Sequence, residues 1–297
     1  MVQAITGAAH KPSGVSRNPC AGPKYSAVIF ALPLYDDNPA RRAPVVNYLL
    51  IGLCIGAFFW ELGQNQPRVV YGYAMIPAVL FGRAHLAPYL HPLPPWVTIF
   101  TSMFLHGGWF HLIGNMLFLW IFGHNVEDEL GHFRYIVLYL ASGVAAALIQ
   151  GLSDPGSHVP MIGASGAIAG VLGAYAVLSP RANVHVFVWI VIFFRIVNVP
   201  AWILLGLWFA MQLISGVEQG RNGPGVAFWA HVGGFVAGML LVTQLRRHGT
   251  LLLRPQRSAV LATTRPRTFL EQRRASRGSV PSAGRPYRRS ANPWDRW

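Results

Sequence analysis

The sequence predicts an all-α polytopic membrane protein, six apolar helices packed as one bundle. Three observations carry that prediction. Of 297 residues, 53% are hydrophobic and only 11% charged, less than half the roughly 25% usual in soluble domains. Apolar runs close to the ~20 residues that cross a ~30 Å hydrocarbon layer recur along the chain. The charge is lopsided, with 24 Lys+Arg against 10 Asp+Glu, and the cations gather at the two ends. The charge deficit excludes an ordinary soluble enzyme and an acidic disordered protein. A basic balance fits nucleic acid or a membrane surface. Basic tails around an apolar middle favour the lipid bilayer, with no nucleic-acid partner.

Taken in order, residues 1–44 read as a cytoplasmic leader, mostly disordered, and residues 45–245 as the six-helix membrane domain. Residues 1–28 lack the basic start and apolar core of a signal peptide. The first span, Val45–Leu62, is uncharged until Glu61. Residues 63–95 are too broken by proline for a span and predict a long first loop in the membrane interface. Residues 111–126 follow the Gly107-Gly108 pair, and residues 133–152 follow the Gly131 turn. Ser165–Leu178 is bounded by Pro180. Residues 200–215 begin with Pro200 in the first turn, where its missing N–H costs nothing. Residues 225–245 close the bundle before Arg246 and Arg247. The segment 184–199 is apolar and rich in β-branched residues but contains Arg195, and it reads as an interfacial or partly embedded loop. Two cysteines, Cys20 and Cys54, form neither a disulfide framework nor a zinc site.

Residues 246–297 hold 13 Arg and two acids among Pro, Ser and Gly, a composition that cannot bury a core. They read as a basic disordered cytoplasmic tail, either a solvated topology anchor or a contact for anionic lipid at about 1 kcal/mol per residue. With both termini on one side, only Arg68, Arg83 and Arg221 of the 24 Lys+Arg fall on the other. Basic residues stay cytoplasmic, so both termini are expected there.

That topology starts the second, fourth and sixth helices at the external face. His111, Asn115, Ser165 and His231 then lie at similar depth, where polar groups are costly unless paired or functional. Gly166, Gly170 and Gly173 share one face beside Ser165. His231, Gly234 and Gly238 share another. Ser165 taken alone reads as a small residue for close helix packing. Two such faces, however, let the backbones approach closely, so that Ser165 and His231 could reach ~2.6–3.2 Å, a hydroxyl beside a base. At 14 residues, Ser165–Leu178 is roughly 21 Å long and begins below the outer surface, so the backbone before it must line a wet cavity. His111 and Asn115, spaced i and i+4, either pack and bond to neighbouring loops or, with the Ser165 N–H, can donate to a developing oxyanion. No His-Glu-x-x-His zinc motif occurs, and Ala167 breaks the Gly-x-Ser-x-Gly elbow of soluble hydrolases. Nothing points to a metal or an organic cofactor.

HGGWFHLIGNMLFLWIFGHNVED (106–128), GASGAIAGVLGAY (163–175) and AHVGGFVAG (230–238) together resemble the rhomboid family of intramembrane serine proteases. PLYDDNPARRAPVV (33–46) is similar to the lead-in of many bacterial members, and the resemblance runs over residues 29–245. It implies a six-helix rhomboid-like bundle in a bacterial inner membrane, a serine endopeptidase acting on transmembrane protein substrates. By resemblance Ser165 is the nucleophile, His231 the general base, and His111 and Asn115 the oxyanion hole. Glu127 matches an acid that helps hold the first loop. Trp202 and Trp208 lie on the helix used as a lateral gate, and residues 216–224 match its cap. Some members carry an aromatic one turn after the serine, on which the histidine stacks. Here Ala169 stands there, and the orientation of His231 is left open. Two further classes fit a Gly-rich bundle: a pseudoprotease that binds client helices, and a small channel. Intact Ser165 and His231 count against the first, and the scarcity of core acids against the second.

Overall fold

Uncharged apolar runs become helices in the order the sequence predicts. The computed structural model describes residues 29–38, 42–90, 92–190, 193–219, 226–246 and 252–253. Residues 1–28 and 39–41 of the expected leader, residues 220–224 of the expected cap and nearly all of the expected tail lie outside the described residues.

A strand, β1 (Ile29–Asp36), precedes helix α1 (Val45–Leu62). The N-terminus of α1 leaves unpaired N–H groups, and Glu127 accepts two of them, from Val46 at 2.9 Å and Asn47 at 2.7 Å. The first loop folds into short pieces, α2 (Gln66–Tyr73), α3 (Pro77–Leu80) and α4 (Thr98–Thr101). Then α5 (Trp109–Phe118) runs through one π turn, Leu119–Gly123, into α6 (His124–Leu130). The π turn has a cause in the packing of α1 against this helix. Asn47 donates to the Leu119 carbonyl at 3.0 Å, and an inserted side chain disturbs the i→i−4 ladder.

Gly131, at φ +81°, turns the chain into α7 (His132–Ser153), followed by α8 (Ser165–Leu178). Helices α9 (Ala201–Gln219) and α10 (Phe228–Leu245) complete the bundle. Among the described residues α1, α7, α9 and α10 are each long and apolar enough to cross a membrane. Residues 98–104 and 109–130, bent by 93°, make a fifth apolar unit, and α8 is shorter at 14 residues.

The segment 184–199 is not the interfacial loop that its composition suggests. It is a hairpin, β2 (Asn183–Ile190) and β3 (Phe193–Pro200), and β2 also pairs antiparallel with β1. The deciding signal is period-2 alternation: Val184 and Val186 are buried, while Trp189 is exposed. Arg195 sits opposite Val188 in the ladder and is exposed, so one charge in the run is no obstacle to a strand. The leader is likewise structured at β1, an edge strand that tolerates Pro33.

Asp36 and Asp37 tie this sheet to the helices. Asp36 accepts from Asn125 at 2.5 Å and from the Tyr175 hydroxyl. Asp37 accepts from the backbone and side chain of Asn183 at 3.0 and 2.9 Å. Burial pushes the Asp36 carboxyl up from 3.8 to about 6, outweighing the Tyr175 hydrogen bond and the nearby His124 that favour its charged form. A raised carboxyl holds its proton better in the folded chain than in the unfolded one. Its stabilising contribution is therefore full below about pH 4 and fades as pH rises through 6. Asp36→Asn should flatten that part of the profile, read as the difference in thermal unfolding midpoint in detergent between pH 4 and pH 7.

The core sits where α7, α8 and α10 pack against one another. A Cβ on Gly234 would lie 2.0 Å from the Gly166 carbonyl oxygen, and one on Gly238 would lie 1.9 Å from that of Gly170. A Cβ on Gly173 would lie 2.1 Å from the Phe235 oxygen. The two backbones touch directly, as the two glycine faces predict.

Candidate active site

This contact sets the site. Ser165 is the first residue of α8 and His231 lies in the first turn of α10, so the glycine crossing brings these two ends together. The Ser165 Oγ is 2.8 Å from His231 Nε2. Gln150 of α7 accepts from the Ala230 N–H at 3.1 Å and secures the α10 start beside the histidine.

His111 and Asn115 project from α5 toward the same place. The Gly107 N–H donates to His111 Nδ1 at 3.4 Å. With Nδ1 accepting, the ring hydrogen stands on Nε2, which faces Gly163. Asn115 Nδ2 is buried without a hydrogen-bond partner, and a Cβ on Gly163 would sit 3.7 Å from it. The Ser165 N–H, at the first position of a helix, has no intrahelical acceptor. All four sequence-predicted residues line one cavity of about 930 Å³. An unpaired buried donor, a helix-start N–H and a hydroxyl on an imidazole can together receive a carbonyl, attack it and hold the resulting oxyanion.

Gly163 makes that approach possible. Its φ of +121° is one that L side chains rarely adopt, and an added Cβ would fall 2.6 Å from His111 Nε2. Gly163→Ala should push the imidazole away. The expected cost is roughly 10²–10³-fold in turnover, the scale of one lost oxyanion donor, measured as kcat on a transmembrane substrate.

Other residues fall differently. Ala169 is buried at the α8–α10 crossing, and a Cβ on Gly234 would lie 3.4 Å from its own Cβ. The aromatic contact to His231 comes instead from Trp208 on α9, with ring centroids 5.8 Å apart. Trp202 lies at the start of α9 and is exposed. His106 stacks edgewise on His111 at 5.2 Å.

A family model described as the Rhomboid domain matches residues 94–248. The chain belongs to the rhomboid family. It is 36% identical over 230 residues to RHOMBOID-like protein 4 of Arabidopsis thaliana, covering 75% of this chain and 51% of that protein. It is 31% identical over 209 residues to Rhomboid protease GluP of Bacillus subtilis, covering 68% and 35% respectively. Rhomboid-like protein 11, chloroplastic, of Arabidopsis thaliana is 32% identical over 147 residues, 48% of this chain and 45% of that protein. The chain spans about half the length of the first curated relatives it matches. It is an integral multi-pass membrane protein.

Within this rhomboid the role expected of Glu127 changes. It accepts from the α1 N-terminus, and His132 Nδ1 lies 2.5 Å from it, so it organises the start of α1 rather than the first loop. The loop is tied by Glu61, whose carboxylate accepts the His106 N–H at 3.1 Å, and by Thr101, which donates to the Tyr73 carbonyl at 2.7 Å. Glu61 is visible in the sequence as the acid ending an apolar run. Gln212 is a second residue that sequence reasoning missed. Its signal is an amide inside the apolar run of α9, and its Oε1 lies 2.8 Å from His231 Nδ1.

Proposed function

We propose that this chain is an intramembrane serine endopeptidase. It cleaves transmembrane segments of other membrane proteins near the external membrane interface through a Ser165–His231 dyad. The observation that carries the reading is the 2.8 Å contact from Ser165 Oγ to His231 Nε2 inside the 930 Å³ cavity. Membership of the rhomboid family and the similarity to Rhomboid protease GluP support it.

Ser165 Oγ attacks the scissile carbonyl while His231 Nε2 takes its proton. The tetrahedral oxygen is met by His111, Asn115 and the Ser165 N–H. Asn115 Nδ2 is buried and makes no hydrogen bond within the protein, which leaves it able to donate to that oxyanion. His231 then gives the proton to the leaving amine, leaving an acyl group on Ser165. A water, deprotonated by the same nitrogen, releases the product.

The Lys/Arg bias supports six crossings with both termini cytoplasmic, in the inner membrane of a bacterium as the lead-in resemblance suggests. The charge of residues 246–297 supports contact with anionic head groups on that side.

The test uses the full chain in liposomes with a model transmembrane substrate. Cleavage and fluorophosphonate labelling, both lost in Ser165→Ala, are expected. Cleavage that persists without Ser165 overturns the reading.

A further inference from the structure

Gln212 explains how His231 is oriented without an aromatic at position 169. Polar side chains in apolar helices are costly unless partnered. Gln212 is partnered by the reacting histidine itself. Its Oε1 is 2.8 Å from Nδ1, while Ser165 Oγ is 2.8 Å from Nε2 on the other side of the ring. A neutral imidazole carries one ring hydrogen. For Nε2 to accept the serine proton, that hydrogen must stand on Nδ1, where it needs an acceptor. The amide oxygen supplies one. Trp208, one turn earlier on α9, lies tilted against the same ring at 5.8 Å, so one i, i+4 pair on α9 contacts the imidazole twice.

We infer that Gln212 is a positioning residue. Its amide oxygen accepts the His231 Nδ1–H, selects the tautomer with Nε2 free toward Ser165, and makes a neutral Ser165–His231–Gln212 relay. The inference rests on the endopeptidase reading. The proton count closes without the amide. Nε2 gains the Ser165 proton and later passes it to the leaving amine, while Nδ1 keeps its hydrogen on Gln212 throughout. An amide cannot become charged, so it orients the ring with less stabilisation of the imidazolium than a carboxylate gives.

The groups that face His231 are Ser165 from α8, Gln212 and Trp208 from α9, and the His111 imidazole from α5, with Gln150 of α7 bonded to the preceding residue. None of these is a carboxylate, which makes Gln212→Glu informative. It keeps the acceptor and favours the protonated imidazole. The acidic limb of the kcat/KM profile should then move to higher pH. Gln212→Met removes the acceptor at similar volume, and kcat should fall roughly tenfold, the scale of one neutral hydrogen bond, with KM nearly unchanged.

A packing role alone would move neither the pH limb nor the tautomer. The ¹⁵N shifts of the His231 ring, assigned by difference from His231→Asn in detergent, give a readout independent of turnover. The expected result is an Nδ1–H tautomer in the unaltered chain and a mixture in Gln212→Met. An Nε2–H tautomer in the unaltered chain overturns the proposal, as does full kcat in Gln212→Met. If the unaltered chain neither cleaves nor labels yet shows the Gln212-dependent tautomer, the protease reading fails and the Gln212 contact stands.

Discussion

Ser165→Ala and His231→Ala should each reduce cleavage to background, and the double variant should be no worse than either single one. On the proposed reading the two groups, 2.8 Å apart, form one device. A hydroxyl without its base is inert at neutral pH, and a base without its hydroxyl has nothing to activate. Removing one member of such a pair elsewhere costs on the order of 10⁶ in kcat, and removing the rest adds little. The Ser165→Ala fold should survive. The lost hydroxyl lies at the first residue of α8, beside a cavity, and alanine is a good helix former. The measurement is single-turnover cleavage of a reconstituted transmembrane substrate, with the thermal unfolding midpoint as the folding control. Losses that multiply in the double variant would mean independent roles and would sink the dyad.

Gly238→Ala should be as damaging although it lies two turns from His231. Its Cβ would sit 1.9 Å from the Gly170 carbonyl oxygen and 2.5 Å from the carbonyl carbon. Both atoms are backbone, so no side-chain rotation relieves the clash. Overpacking of cores typically costs ~1–3 kcal/mol, and here relief requires α8 and α10 to separate by more than 1 Å. That displacement moves Ser165 from His231, and a ~1 Å misplacement of reacting groups costs about 10²-fold. A loss of at least that size is expected, with a lowered thermal midpoint. Gly56→Ala is the matched control, because a Cβ there meets nothing within 4 Å, and its activity should be unchanged. Full activity in Gly238→Ala would show that the crossing does not set the dyad.

The helices and the Ser165–His231 meeting are legible in the sequence because both are written locally. Hydropathy marks the spans, and the i+4 and i+7 spacings of Gly166, Gly170 and Gly173, with Gly234 and Gly238 opposite, mark which helices can touch. The shared face of His111 and Asn115 follows from helical periodicity. The sheet is not legible in that way. Val184, Val186 and Val188 alternate as a strand does, but β1 lies far off in the lead-in, and no local pattern names it as partner. The π turn escapes for the same reason, since its cause is Asn47 on another helix. Glu127 matches a family acid, yet its partners, Val46 and Asn47, are fixed only once α1 and α6 are side by side. Gln212 stands out as an amide in an apolar run, but which ring it meets depends on how α9 lies against α10.

Pairing between β1 and β2 joins residues roughly 150 positions apart. During synthesis the earlier strand therefore emerges long before its mate and waits with open hydrogen-bonding edges, a state prone to aberrant pairing. The lead-in can lock only after α8 has been made, because Asp36 also needs Tyr175 and Asp37 needs Asn183. Closing that long loop is slow by its nature. The segment ahead of the first helix can thus complete its contacts only once the serine-bearing helix and the strand after it have been made.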